Sequence, residues 1–442
     1  MPSAQTDQTP LRTSLLPILG LVFGVAVSIG GTLGVGILRQ PGPVASYLRE
    51  PWLIMLMWLI GAAYSALGAV SVSELATMIP RAGGFYVYAR EAMGDTAGFA
   101  VAWSDFLTNA GGVAFGAMAA VEFGGRLFPG IQRFGPFLAV VLILAFAVTQ
   151  WFGIRIGAGV QQVASAVAAI ALLGLVVACF TVHSPAHPAP APPAPAGSFI
   201  AALVLAIQSI VVTFDGWYEP IYFSEEVRHP ASQIPRSMFG GLALVTGLYL
   251  LLNAVFVRAL GPAGLAASNF AAADAAMLAA GRAGSAIVSA IAIVVMLTLL
   301  NTSLLSSTRI LFAVSRDGLF WRPAARVAAN GTPRTALLLA TLGVVALVLS
   351  GSLDRLIAMA GFFDVANYSW AYISLMVLRR TRPAAARPFR VRAYPLPTLV
   401  SLLASLAFLA GAAASDHRNS FWALVLLLAS IPTRRLLRLF AN

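Results

Sequence analysis

Two short stretches decide the reading of this chain: GGTLGVG at residues 30–36 and FDGWY at residues 214–218. Each interrupts a long apolar run. Gly30, Gly31, Gly34 and Gly36 are poor helix formers, each costing up to about 1 kcal/mol relative to alanine in a helix interior. Two readings of the glycine run compete. One is close helix packing, because small residues line contacts between helices in a bilayer. The other is an unwound break, in which the amides of Val35 and Gly36 open one half-helix and the carbonyls of Thr32 and Leu33 close another. In the second stretch Asp215 and Gly216 stand in the middle of an apolar segment, and an acid at that depth is costly and points to function.

The rest of the chain explains why these runs are apolar. Its 442 residues are 59% hydrophobic and only 10% charged, with mean hydropathy +0.85. A soluble domain carries roughly 25% charged residues and uses them to cover its surface. A helix needs about 20 apolar residues to cross the hydrocarbon core. Twelve segments qualify: 15–48, 51–79, 96–127, 136–153, 156–182, 198–226, 237–260, 283–315, 335–351, 354–379, 396–414 and 419–437. Backbone groups in lipid must satisfy one another within a segment, so the segments are helices. The expected fold is an all-α polytopic membrane protein with about twelve transmembrane helices, built as one integral membrane domain. The two interruptions fall in the first and sixth spans.

The net charge of +12 comes entirely from arginine, 28 in all, since the chain contains no lysine. The arginines sit in short loops and form no continuous basic face, which argues against nucleic-acid binding. With the N-terminus inside, 20 arginines lie on the inner side and 8 on the outer. That bias predicts a multi-pass protein of the cytoplasmic membrane with both termini cytoplasmic. Cys179 is the only cysteine, so an internal disulfide and a cysteine zinc cluster are both ruled out. His183 and His187 are interleaved with prolines in a loop unsuited to a metal site. The N-terminus has no basic start or small-residue cleavage site, so the first apolar segment is expected to stay in the mature protein. The Pro/Ala-rich stretch 183–197 reads as an extended external linker.

That linker divides the first ten spans into halves of five. Interruptions at corresponding positions of two halves point to a transporter binding site near the bilayer midplane. Free amides would meet a carboxylate and free carbonyls an ammonium group. An α-amino acid carries both on one carbon.

Several longer motifs carry a family resemblance. GTLGVGILRQPG in the first span, SELATMIPRAGGFYVYAREAMG at 73–94, DGWYEPIYFSEEVRHPASQIPRSM at 215–238, SSTRILFAVSRDGLFWRPAARV at 306–327 and LRRTRPAAARPFRVRAYPLP at 378–397 follow one another in order. Together they resemble the amino acid–polyamine–organocation family of transporters from about residue 15 to 395. The resemblance implies a LeuT-type fold: a first five-helix repeat at 15–182, an inverted second repeat at 198–380, and helices 11 and 12 at 396–438. It implies secondary transport by alternating access, with Val35 and Gly36 holding the substrate carboxylate and Thr32 and Leu33, beside Gly34, contributing to the ammonium site. Phe214 falls near the family's site-covering aromatic. Asp215, next to Gly216, departs from the small or apolar residue often found there, and its roles stay open: a second substrate amine, a proton, or a helix cap.

Many relatives in that family have a lysine in helix 5, where this chain aligns Ala168, so the resemblance does not carry lysine-based proton coupling to this chain. Thr302, Ser303, Ser306 and Ser307 offer hydroxyls for a sodium ion, against an ordinary reading of backbone bonding and helix packing. Asp105, Asn109, Glu219 and Asp364 are polar residues at membrane depth that either face the pathway or bond between helices. Trp103, Trp217 and Tyr368 are gates or interface residues. Glu74, Arg81 and Arg90 read as a structural network on the inner face, and Glu225 and Glu226 as partners of Arg228 or Arg236. No phosphate loop or nucleophile–base motif is present, so neither an enzyme nor an ATP-driven pump is expected. The implied substrate is an amino acid; the alternatives are a polyamine or other organic cation, or a non-transporting amino acid receptor. No cofactor, resident metal or obligate protein partner is expected, with H+ or Na+ as a possible coupling ion.

Overall fold

The computed structural model describes residues 13–180, 182 and 198–440. The linker 183–197, both of its histidines and the start of the chain therefore lie outside the described residues. Among the described residues the chain is helical, and its one strand-like pairing is a parallel bridge between Leu19 and Val227.

The first span is three pieces: α1 (Leu21–Thr32), α2 (Gly36–Arg39) and α3 (Pro41–Leu48). Then follow α4 (Pro51–Met78), the short α5 (Phe85–Met93), α6 (Asp95–Leu127), α7 (Gly135–Trp151) and α8 (Ile154–Phe180). The second group is α9 (Phe199–Thr213), α10 (Pro230–Ala267), α11 (Ala271–Arg316), α12 (Arg334–Leu349), α13 (Leu353–Thr381), α14 (Leu396–Ser415) and α15 (His417–Phe440). Local chemistry sets many ends. Proline occupies the first turn of α3, α4, α7, α10 and α14, where its missing N–H costs nothing. The Ser198 hydroxyl caps α9 by accepting from the Ala201 amide.

Seven helical segments are long and apolar enough by themselves to cross a membrane, and three shorter apolar helices, α1, α9 and α12, accompany them. The shortfall against twelve expected spans has physical causes. α1 and α9 are short because the glycine and Asp–Gly interruptions cut them. α13 carries Asp364, Asn367, Tyr368, Trp370 and Tyr372 in its middle and so is less apolar than the seven. α10 and α11 are longer than their predicted spans, because helix continues past non-helical residues at Gly261 in one and at Ala280–Gly281 in the other. The predicted ends at 260 and 283 fall at those kinks.

α11 packs along α6 and α8, and α1 lies among α10, α8 and α11. Outward faces of α7, α8 and α14 expose apolar side chains such as Val148, Ile170 and Leu403, as helices facing lipid do. The interior is held differently. Ser28, Asp105, Gln161, Glu219, Asn301 and Ser306 are all buried, and small residues let backbones approach. A Cβ at Gly116 would come 2.8 Å from the Met296 carbonyl. This pattern of small contacts and buried polar bonds fits association in lipid, where apolar burial alone gives little preference.

Candidate functional site: the crossing of two broken helices

α1 stops at Thr32 and helix resumes at Gly36, with Leu33 extended (φ −69°, ψ 105°). α9 stops at Thr213, and residues 214–218 form turns leading to a short 3-10 segment, Glu219–Phe223. The unwound reading of both stretches is therefore the structure's. Gly216 has φ +95°, and a Cβ there would lie 2.3 Å from the Gly31 carbonyl carbon. Both the conformation and the contact require glycine. The two breaks cross at this point.

A cavity of about 310 Å³ opens beside the crossing. Thr32, Gly34, Val35 and Gly36 form one wall, Asp215, Tyr218 and Glu219 another, and Asn109, Ser303 and Asp364 line it from α6, α11 and α13. Gln40, Phe115, Leu356 and Ile357 extend it toward the arginine-poor face. Among the described residues, no acceptor takes the amides of Gly34, Val35 or Gly36. The Tyr249 hydroxyl lies 2.7 Å from the Thr32 carbonyl and 3.1 Å from the Thr213 carbonyl, tying the ends of α1 and α9 together from α10. A carbonyl oxygen has two lone pairs, so Thr32 can still accept from a ligand.

The sequence-predicted residues divide. Thr32, Gly34, Val35, Gly36, Asp215, Asn109 and Ser303 reach the cavity; Leu33, Phe214, Gly216, Trp217, Asp105, Thr302 and Ser306 do not line it. Phe214 packs against Trp58 and Tyr249. Asp105 sits behind the wall, accepting from Tyr222 at 2.6 Å and Asn109 at 3.2 Å, with its Oδ2 buried and unpartnered. Asp215 accepts from Tyr368 and, at 3.4 Å, from Tyr218. Ser306 donates to Glu219 at 2.5 Å, while Thr302 bonds back to the Thr298 carbonyl at 3.1 Å. Both hydroxyls are donors in these bonds, which leaves their oxygen lone pairs open. Three carboxylates line the cavity and no arginine does. No group of His, Cys, Asp and Glu suited to a metal occurs among the described residues.

α8 meets α1 through neutral groups. Ser165 donates to the Ala26 carbonyl at 2.7 Å, Gln161 donates to Ser165 at 3.0 Å, and Asn301 donates to Gln161 at 2.8 Å. Ala168 is buried and offers no polar group. Gln161 and Asn301 were legible only as polar residues in apolar runs, and Tyr249 carried no signal beyond a tyrosine in mid-span.

Toward the arginine-rich face the cavity is closed. Tyr218, Trp217, Tyr368 and Phe85 stack with ring centroids 4.7–5.9 Å apart. Below them Glu226 pairs bidentately with Arg309 at 2.9 and 3.0 Å, both buried. Glu225 pairs with Arg316 at 2.6 Å. The expected partners, Arg228 and Arg236, are wrong, because α11 rather than the local chain approaches these acids. Arg81 and Arg90 converge on Asp317 at 2.7 and 3.0 Å, and Glu74 pairs with Arg379 at 2.5 Å. Asp317 is the unrecognised centre for Arg81 and Arg90, while Glu74 stands apart from them with Arg379 and Arg387. Trp103 donates to the Leu426 carbonyl and serves as a contact to α15.

A family model described as amino acid permease matches residues 18–431. The chain belongs to the amino acid permease family. The permease is similar to the serine/threonine exchanger SteT of Bacillus subtilis, at 24% identity over 94% of this chain and 95% of the relative. It is 26% identical to the large neutral amino acids transporter small subunit 2 of Mus musculus, over 88% and 75% of the two chains. It is 24% identical to the b(0,+)-type amino acid transporter 1 of Oryctolagus cuniculus, over 88% and 81%. The permease is a multi-pass membrane transporter of amino acids and not an enzyme.

Proposed function

We propose that the permease binds its amino acid in the cavity at the crossing of the two breaks and carries it across the cytoplasmic membrane by alternating access. One observation carries this reading: three adjacent amides without acceptors, Gly34 to Gly36, face a cavity whose opposite wall is acidic. The amides receive the carboxylate, and the Thr32 carbonyl with the Asp215 side receives the ammonium. The volume of 310 Å³ is at the small end of ligand pockets, about 300–1,000 Å³. Residues 15–182 and 198–380 act as two inverted halves completed by 396–438, and the arginine-rich face is cytoplasmic, with both termini on that side. The closed aromatic layer then makes this conformation an outward-facing one.

A second reading is favoured by charge. Asp215, Glu219 and Asp364 line the cavity without a basic residue. Carboxylates at membrane depth need positive charge nearby, which a cationic amino acid, a polyamine or a bound proton supplies. Thr302 and Ser306 donate their protons and keep oxygen lone pairs, so the coupling ion is either Na+ beside these hydroxyls or a proton on Glu219 or Asp364.

The test is uptake by purified protein in proteoliposomes, screening neutral, cationic and acidic amino acids and polyamines, with and without proton and sodium gradients and with preloaded substrate. Saturable amino acid uptake or exchange supports the first reading; polyamine uptake alone supports the second. Gly36→Trp places an indole where even an added Cβ would meet the Thr213 side chain at 3.2 Å and abolishes transport. A correctly inserted Gly36→Trp protein that transports normally would remove the site assignment, and substrate binding without translocation would favour the receptor alternative.

A further inference from the structure

A second cavity, of about 560 Å³, lies on the arginine-rich face between the end of α13, the start of α14 and the loop joining them. Arg379, Arg380, Arg387 and Arg390 line it with Tyr394 and Leu399. The transport reading does not use it.

Its charge is far from balanced. Glu74 is the one carboxylate in contact with these arginines, at 2.5 Å from Arg379 and 3.1 Å from Arg387. Among the described residues, no hydrogen bond or ion pair holds the Arg380 or Arg390 guanidinium. Arg379 Nε is buried without a partner. The surround is rigid. Arg387, 7% exposed, donates to the carbonyls of Leu378, Arg382, Pro383 and Ala385 and so fastens the loop to α13. The Arg379 guanidinium stacks 4.3 Å from the centre of the Tyr394 ring. The Val391 amide adds a third bond to Glu74 at 2.7 Å.

The cavity also runs into an apolar stripe on α14. Leu399 and Pro395 belong to its wall, and Leu396, Val400 and Leu403 of α14 carry that apolar surface onward as exposed side chains of a spanning helix. A soluble anion would use the arginines and ignore this stripe. A phospholipid uses both.

We infer that this cavity is a binding site for an anionic phospholipid, its phosphate held by Arg380 and Arg390 and an acyl chain lying along α14. Basic pockets at the ends of membrane helices take anionic headgroups by this physics: charge attraction in the interface, with the apolar tail left in the hydrocarbon. Cationic surface alone attracts such lipids weakly and without stoichiometry. A walled site with unneutralised guanidinium groups binds one lipid at a time.

The experiment is native mass spectrometry of the detergent-purified full-length protein titrated with dioleoyl phosphatidylglycerol, and separately with dioleoyl phosphatidylcholine. The expected result is one phosphatidylglycerol bound in preference to phosphatidylcholine. Arg380→Gln with Arg390→Gln should weaken it roughly thirtyfold, taking the attraction of each arginine near a membrane surface from general experience, and each single variant roughly fivefold. Arg322→Gln with Arg326→Gln, exposed arginines of the same face outside the cavity, should change binding less than about twofold. Equal binding of the two lipids, unchanged affinity in the double variant, or an equal loss in the Arg322/Arg326 control would each overturn the proposal. Inorganic phosphate is the remaining arm: full displacement of the lipid at matched concentration would assign the site to a free anion and overturn the lipid reading.

Discussion

Replacing Gly216 by alanine tests the crossing of the two breaks directly. At φ +95° an L side chain is strained, at about 1–3 kcal/mol for a non-glycine residue in a sparsely populated region. The added Cβ would also stand 2.3 Å from the Gly31 carbonyl carbon, 2.5 Å from its oxygen and 2.7 Å from the Thr32 nitrogen. These are backbone atoms and cannot rotate away. Forcing a methyl group into a packed site costs about 1–3 kcal/mol more. The sum, about 2–6 kcal/mol, is at least a thirtyfold shift away from the crossed geometry, taking about 1.4 kcal/mol per factor of ten. Gly36→Ala is the internal comparison. Its Cβ would meet only the Thr213 side chain, at 3.2 Å, with ordinary helical backbone, so its cost is below about 1.5 kcal/mol. The assay is paired: monodisperse protein remaining after a heat step, and initial uptake rate in proteoliposomes. Gly216→Ala should lose most uptake and melt earlier, and Gly36→Ala should stay within a few-fold of wild type. Equal behaviour of the two variants would falsify the crossing.

Asp215→Asn keeps the shape of the acidic wall and removes a charge; it should depress uptake of cationic substrates more than neutral ones, read as the ratio of their initial rates, and an equal effect on both would assign Asp215 a cap or proton role. Glu226→Gln strands the buried Arg309 charge and should destabilise by about 3–5 kcal/mol, measured by thermal unfolding in detergent; Arg309→Met together with Glu226→Gln should recover much of that loss, and no recovery would mean the ion pair is not the unit that matters. Tyr249→Phe leaves the Thr32 and Thr213 carbonyls without their shared donor and should cost about 1–3 kcal/mol, again read by melting. If that variant is as stable as wild type, the tie between α1 and α9 is dispensable.

The sequence made the breaks visible because glycine and aspartate are conspicuous in apolar runs. Span limits were legible for the same reason, down to the kinks at Gly261 and Gly281. Partner choice was not. Glu225 and Glu226 sit three and two residues from Arg228, yet their counter-ions, Arg316 and Arg309, lie far away in α11. Such pairing depends on how helices pack in three dimensions, and one-dimensional spacing carries no trace of it. Asp317 was hidden likewise, since its role comes from α5 delivering Arg90 to the end of α11. Phe214 shows the opposite limit: an aromatic at the expected address turned inward onto Trp58 and Tyr249, a choice of rotamer and neighbours made by the folded interior.

The bridge between Leu19 and Val227 has a mechanical meaning. The Leu19 amide donates to the Glu226 carbonyl at 2.8 Å, and the Arg228 amide donates to the Leu19 carbonyl at 3.0 Å. The approach to the first half-helix is thereby stitched to the exit from the second break on the arginine-rich side. Two pieces of chain more than 200 residues apart become a single lever, pivoting where Gly216 meets Gly31. An opening on that side would then swing both pieces together, against the Glu226–Arg309 latch, with the stitch intact. A disulfide joining Leu19→Cys to Val227→Cys should leave exchange running; arrest of exchange by that cross-link would mean the two pieces part company during the cycle.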